Sequence, residues 1–470
     1  MSVKQKRYVV TAGQFNSDVN PDVYETMMNY CKHNDARLIV GQLSGKNVYE
    51  HYWPEALRDN ALRDALGDNY FVLRRKNYHL NRKIKVRDER IKPQQILPLT
   101  GMDRFTQQDV TTIYPGSKQH MRAIANSVAK VPKFLMTTGA ITLPNYNLKH
   151  RQGNIALNDH TYGAVLVELE NNVIYHFRYL SFLKNGKVTD LGTLYDGNSI
   201  IERIRPEAMV LGDWHAGPDQ DLIVRAETLR MIERYNPKRL IIHDLHNNDS
   251  TNHHNQNKLI EQVIAYDEGK YCLEDELQND FSDLEKLSEI TSDDTEIIVV
   301  KSNHDEGLER YLNEGRFLKE PHNAKISVEL LREAFRDNDP LEEGIKLVGG
   351  KIPDKVRFLR RDEDYKVMGW QLGRHGDKGP NGSRGSMYSK EKSYGKSITG
   401  HSHTPHILRN TYVVGTMTKL RLRYNKGNDS SWMHTHGFLW PNRKVQLVNI
   451  MNGHHRLETE PEAVEPTQTN

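Results

Sequence analysis

AMVLGDWH, residues 208–215, is an apolar run that turns polar at its end, and three later stretches repeat its form. They are RLIIHDLH (239–246), EIIVVKSNHD (296–305) and KSITGHSH (396–403). Each reads as a short buried strand whose C-terminal end carries Asp, His or Asn. Between the first two, Leu222 to Tyr235 has the spacing of an amphipathic helix, ended by Pro237. Strands and helices with polar residues at the strand C-termini predict an α/β sandwich or a doubly wound sheet.

Five clusters then stand in order: Gly212-Asp213-Trp214-His215, His243-Asp244-Leu245-His246-Asn247, Ser302-Asn303-His304-Asp305, Gly373-Arg374-His375-Gly376 and Gly400-His401-Ser402-His403. Carboxylate, imidazole and amide oxygen suit borderline-hard divalent metals such as Mn, Fe, Zn or Ni. No cluster offers a thiolate, which excludes a structural zinc knot and favours an open catalytic site. Alone, His375 reads as an ordinary structural histidine; beside the other clusters it reads as a ligand. His246, His253 and His254 fit no ligand position. His434 and His436 either reach substrate or cap a strand.

The set resembles the calcineurin-like metallophosphoesterase superfamily, whose pattern is D-x-H, GD-x-x-[DN], GNH-[DE], a lone His and GH-x-H. The resemblance spans residues 206–420 and implies a four-layer α/β sandwich with a dinuclear metal centre. It implies that Asp213, His215 and His403 bind one metal and that Asp244 bridges to a second held by Asn303, His375 and His401. It further implies that His304 acts as general acid, with Asp305 holding its imidazole. Two departures stand out: His243 and Ser302 replace glycines of the pattern.

The metal motifs leave the substrate open. In HGDKGPNGSRGS (375–386) a Gly-rich loop can cradle phosphate, with Lys378, Asn381 and Arg384 as candidate contacts; the alternative is a surface turn. Lys419, Arg421 and Arg423 would form one basic face on a strand, with Tyr424 and Trp432 able to stack bases. This loop, with GHSHTP and a YNKG…W…THG segment containing His436, is similar to metallophosphoesterases of tailed phages. That group includes pre-early nucleases of T5-type phages. The closer resemblance covers residues 206–456 and implies a DNase, exo- or endonuclease, made early in infection to degrade host DNA in the host cytoplasm. Manganese is the metal expected first, with iron, zinc, nickel or magnesium as alternatives. A phosphomonoesterase or protein phosphatase with the same centre is the rival enzyme. A non-catalytic binding or assembly protein is the rival of another class.

The remainder of the 470-residue chain frames this reading. Residues 1–200 carry 27 Lys and Arg against 18 Asp and Glu, so the formal net charge of +3 hides a basic front and an acidic back. A basic front suits a polyanion such as DNA. The strongest basic stretch, 72–92, either tracks a phosphate backbone or is a solvated helix face. The front shows a β-α-β rhythm (Arg7–Ala12, Val23–Lys32, Arg37–Val40) and a hairpin turning at Asn171-Asn172. These lead to an expected smaller α/β domain over 1–205, for DNA binding or self-association into a homo-oligomer. A metallophosphoesterase domain would occupy 206–456, and a disordered tail 457–470. Residues 261–294 predict an acidic helical hairpin or loop. No internal repeat is legible. Mean hydropathy is −0.74, no apolar run is long enough for a membrane helix, and the start lacks a secretion signal. Cys31 and Cys272 cannot form a disulfide framework. A soluble cytoplasmic protein without a membrane partner is the expectation.

Overall fold

Alternation of apolar side chains organises the molecule. Along the strand at 208–211, Ala208 and Val210 enter one core while Met209 and Leu211 enter another. Ile241 and Leu240, and Ile298 and Ile297, divide the same way, as a sheet buried on both faces requires. The computed structural model describes residues 6–15, 17–43, 60–67, 77–89, 91–106, 109–126, 132–253, 258–383, 386–422, 425 and 427–458.

The front half contributes β1 (Arg7–Gln14), α1 (Pro21–His33), β2 (Ala36–Leu43), α2 (Asn60–Leu66), β3 (Asn77–His79), β4 (Ile84–Arg87), β5 (Thr111–Tyr114), β6 (Gly116–Ile124), β7 (Lys133–Gly139), α3 (Arg151–Asn158), β8 (Gly163–Leu169) and β9 (Tyr175–Ser181). A small meander follows: β10 (Val188–Asp190), β11 (Thr193–Asp196) and β12 (Ser199–Ile201). The back half contributes β13 (Ala208–Val210), α4 (Leu222–Tyr235), β14 (Arg239–His243), α5 (Leu259–Asp267), α6 (Leu273–Ile290), β15 (Glu296–Val300), α7 (Asn303–Asn313), α8 (Pro321–Ala334), α9 (Pro340–Gly349), β16 (Val356–Phe358), β17 (Lys366–Val367) and β18 (Trp370–Gln371). It ends with α10 (Met387–Tyr394), β19 (Ser397–Thr399), β20 (His406–Leu408), β21 (Thr411–Val413), β22 (Thr435–Leu439) and β23 (Val445–Asn449).

The helices begin where side chains can satisfy their first N–H groups. Asn20 and Asp221 cap α1 and α4, and Asn236 closes α4 in the left-handed conformation at φ 43°. Leu277, Phe281, Leu284 and Leu287 of α6 pack with Met231 of α4 and Leu330 of α8 on one face of the six-stranded sheet β16-β15-β14-β13-β22-β23. The acidic segment is thus helical, and its apolar stripe is part of the core. The other face of that sheet meets a ten-stranded sheet across a second core that includes Met121, Phe134, Ile398 and Ile407.

The strand order contains a repeat. The four-stranded sheet β2-β1-β8-β9 has the order and senses of β14-β13-β22-β23: parallel, antiparallel, antiparallel. The ten-stranded sheet is β17-β18-β19-β21-β20-β6-β7-β5-β4-β3. Read outward from the β20/β6 seam, each arm is antiparallel, parallel, parallel, antiparallel. At the seam Ile407 faces Met121, flanked by His406 opposite Arg122 and Leu408 opposite His120, so a pseudo-two-fold axis passes through the Ile407–Met121 pair. The absence of a legible repeat is thereby corrected. Topology survives on apolar alternation, whereas the polar strand ends that would reveal the repeat differ between copies.

The join between the copies falls near residue 205. Yet β6 pairs with β20, and one core takes Val10 and Val165 from the front with Val210 and Ile298 from the back. Residues 1–205 therefore do not stand as a separate domain in hydrogen bonding or in core. The basic stretch yields β3 and β4 rather than a helix face, with residues 72–76 and 90 outside the described residues. No described helix is long and apolar enough to cross a membrane. Of the tail, residues 459–470 lie outside the described residues.

Candidate metal centre

Strand ends of the back half bring the candidate ligands together. Asp213 follows β13, and its N–H donates to Gly415 O at 3.0 Å. Asp244 follows β14 and accepts, through its carbonyl, from His215 N at 2.7 Å. Asn303 opens α7 immediately after β15, and His401 and His403 follow β19. The His375 carbonyl accepts from Gly400 N at 2.8 Å, which fixes the lone histidine against that loop. His215, Asp244, His401 and His403 have φ of 47°, 46°, 77° and 55°. Left-handed backbone at non-glycine residues costs free energy and clusters at functional sites.

Two donor sets share Asp244. In the first, ligand atoms of Asp213, His215, Asp244 and His403 lie within 4.8 Å of one another, all buried, and this group can hold a metal ion. His215 Nε2 and His403 Nε2 are 3.0 Å apart, and His403 Nε2 is 3.3 Å from Asp213 Oδ2. In the second, Asn303 Oδ1 lies 3.1 Å from His375 Nε2 and 2.9 Å from His401 Nδ1. His375 Nε2 is also 3.3 Å from Asp244 Oδ2. Both carboxylate oxygens of Asp213 and Oδ1 of Asp244 are buried without a hydrogen-bond partner among the described residues.

Protonation fits cation binding. Burial, then the charge of Asp244, pushes the Asp213 carboxyl well above its ordinary range. Burial also raises Asp244, but His375 and His304 outweigh it and hold that carboxyl well below its ordinary range. Burial brings His215 to about 3 and His401 to about 4, and holds His403 far down, so all three keep the neutral form that ligates metals. His375 is raised to about 9, the charge of Asp244 overcoming burial. Two buried carboxyl groups among mostly neutral imidazoles have little countercharge, a surrounding that a divalent cation would satisfy.

His304 stands beside this group, its ring 4.8 Å from that of His215. Its Nδ1 donates to Asn247 O at 2.6 Å, leaving Nε2 free of that role. Asp305 does not hold the imidazole, which corrects the expected pairing. Its Oδ2 accepts from Ser302 N at 2.9 Å while Ser302 Oγ accepts from His304 N at 3.2 Å, a capping box that starts α7. The replacement of glycine by Ser302 is thereby explained. His243, the other departure, is buried and packs on the His375 ring at 5.5 Å.

The substrate candidates divide. A cleft of about 380 Å³ runs from His375 past Asp377 to Lys378, Arg361, Arg374 and Tyr394. Lys378 Nζ pairs with Glu306 at 2.6 Å. Asn381 is exposed on a short turn at φ 55° and does not line that cleft. Arg384 lies outside the described residues. His436 is no substrate contact: fully buried, it accepts from Gly212 N at 3.0 Å and meets Thr228 Oγ1 at 2.8 Å. His246 pairs with Asp280 at 2.7 Å, His253 is exposed, and His254 lies outside the described residues. His434 Nε2 donates to Thr418 O.

Residues 419–422 form no strand, and Arg421 hydrogen-bonds Asn126 O at 3.3 Å, so the expected basic strand face is not built there. Arg423 and Tyr424 lie outside the described residues, and Trp432 packs edge-on against His403 at 4.3 Å. Asn247 stood in the second cluster without a role, and two contributors escaped the sequence: Arg361 and Lys390. Lys390 is buried on α10 with its Nζ against Gly376, and burial brings it to about 8. No short motif marks them, since each acts from a separate loop or helix.

No family model matches the chain, and no solved structure matches it. A curated protein does. The chain is 27% identical over 474 residues to Protein A1 of Escherichia phage T5, an alignment covering 96% of this chain and 83% of that protein. The similarity relates the chain to a phage protein along nearly its whole length, front half included.

Proposed function

We propose that the chain is a metal-dependent phosphodiesterase that hydrolyses DNA during phage infection. The observation that carries this reading is Asp244, a carboxylate shared between two adjacent donor sets. In this reading the flanked sheet pair is a calcineurin-like metallophosphoesterase sandwich. Asp213, His215, Asp244 and His403 hold one ion, and Asp244, Asn303, His375 and His401 hold a second, manganese being the first candidate. A pair of divalent cations supplies Lewis acidity toward a phosphate oxygen and toward water.

The chain's own residues do the rest. Asn247 O fixes Nδ1–H of His304, so Nε2 can hand a proton to the departing oxygen. The cleft at Arg361, Arg374 and Lys378 gives a phosphate backbone cationic partners once their carboxylate partners yield. Similarity to a phage protein over 96% of the chain supports the biological setting.

The test compares wild type, His304→Ala and Asp244→Ala with Mn on linear duplex DNA, closed circular DNA and p-nitrophenyl phosphate. DNA hydrolysis that falls at least a hundredfold in His304→Ala with metal content unchanged, and vanishes with the metal in Asp244→Ala, is expected. Turnover of the small ester alone would replace this reading by a phosphatase. Cutting of the closed circle would make the enzyme an endonuclease.

A further inference from the structure

The pseudo-two-fold places a counterpart of the metal centre in the front half. The bridge pairs Ala12–Ala140 and Val19–Thr142 repeat Asp213–Thr416 and Gln220–Thr418, in sense and spacing. By the same registers Gln14 stands for His215, Gly41 for Asp244 and Gly116 for His401. No carboxylate can return at 41, because a Cβ there would stand 2.1 Å from the Pro115 ring. The front copy is barred from a bridged centre.

A cleft of about 320 Å³, within the range of small-ligand sites, nonetheless lies beside Gln14, the one of these counterpart positions that lines it. Its polar lining is Gln14, Gln94, Asn145, Asn147 and Gln152, with Tyr146 and His150 as rings; no carboxylate, Lys or Arg among the described residues lines it. Gln14 is only 1% exposed, and its Oε1 has no hydrogen-bond partner among the described residues. Tyr146 is pinned: its hydroxyl donates to His160 Nδ1 at 2.8 Å, and His160 Nε2 donates to Thr142 O at 3.1 Å.

A neutral lining rejects a metal ion and a bare phosphate, each of which needs countercharge. Carboxamides offer a donor and an acceptor side by side, which matches the edge of a nucleobase, and a fixed aromatic ring offers a face to stack on. We propose that this cleft binds a nucleobase, its buried unpaired acceptor being Gln14 Oε1. The proposal rests on the DNA reading for its source, an unpaired nucleotide of the substrate strand.

The experiment titrates the full chain in EDTA with the four uncharged deoxynucleosides, read by calorimetry and by saturation-transfer NMR. These probes carry no phosphate and require no metal or hydrolysis. Saturable binding of at least one nucleoside is expected, weakened tenfold or more by Gln14→Leu and by Asn147→Ala, and unchanged by Asp244→Ala. Melting curves accompany each variant, and the exposed Asn147 serves if the buried Gln14→Leu fails to fold. Absence of saturable binding to wild type overturns the proposal, and DNA hydrolysis can stand without it. Binding lost in Asp244→Ala but kept in both cleft variants also overturns it, by moving the ligand to the metal centre.

Discussion

At Gly400 the centre leaves no room for a side chain. A Cβ there would stand 2.0 Å from Asp213 Oδ1 and 3.1 Å from His243 Cβ. Gly400→Ala must displace a ligand, so metal content measured by elemental analysis is expected to fall tenfold or more at limiting metal. His436 has the opposite character. Its imidazole serves Gly212 N–H and Thr228 in a dry interior. His436→Leu leaves that buried N–H unsatisfied at a cost of about 1–3 kcal/mol in urea unfolding, with KM for DNA unchanged. A raised KM at full stability would return His436 to the substrate. The residues that meet in the two donor sets were legible because their chemistry and spacing travel with strand ends. The jobs of Asp305 and His436 were not, because both depend on where a side chain turns: Asp305 back onto its own helix start, His436 under β13.

Elements were legible where a local signal existed. Leu222–Tyr235 is helical over the range its apolar spacing set, between Asp221 and Asn236, and Asn171 turns the β8–β9 hairpin by accepting from Val173 and Ile174 N–H. The expected strand after residue 418 failed because alternating charge says nothing of whether a neighbouring edge is free to pair. The β8–β9 pair also carries a pH prediction. Glu168 accepts from Arg178 at 2.7 Å, Arg7 at 3.0 Å and Leu457 N at 3.2 Å. Burial raises its carboxyl, but the Arg178 charge and these bonds bring it from 4.5 to about 2. A depressed carboxyl stabilises the fold above its unfolded pKa, and that contribution, about 3 kcal/mol, is lost as pH falls from about 4.5 through 2. Urea unfolding between pH 6 and 2 should therefore show a shallower acid slope in Glu168→Gln. An unchanged slope would remove Glu168 as the cause.

For the whole molecule, the arrangement of the two halves was hidden from sequence. Pairing β6 with β20 joins residues far apart in the chain, and neither strand carries a signal for its partner. The pairing predicts the behaviour of a fragment. Residues 206–458 alone would expose the β20 edge and half of the shared core. Because the seam is nearly self-complementary about Ile407 and Met121, that fragment should appear in sedimentation as a dimer or as aggregate. A well-folded monomer would argue that the front half is dispensable to the core.

The same seam has a kinetic meaning. Two copies of a fold held only by association separate when diluted, and activity that needs both then falls with protein concentration. Here one polypeptide carries both, and His120 meets His406 at 3.3 Å across the axis in every molecule. The effective concentration of one half at the other is set by the connecting chain. Bringing the two halves together thus needs no second molecule, and their contact should not weaken when the protein is diluted.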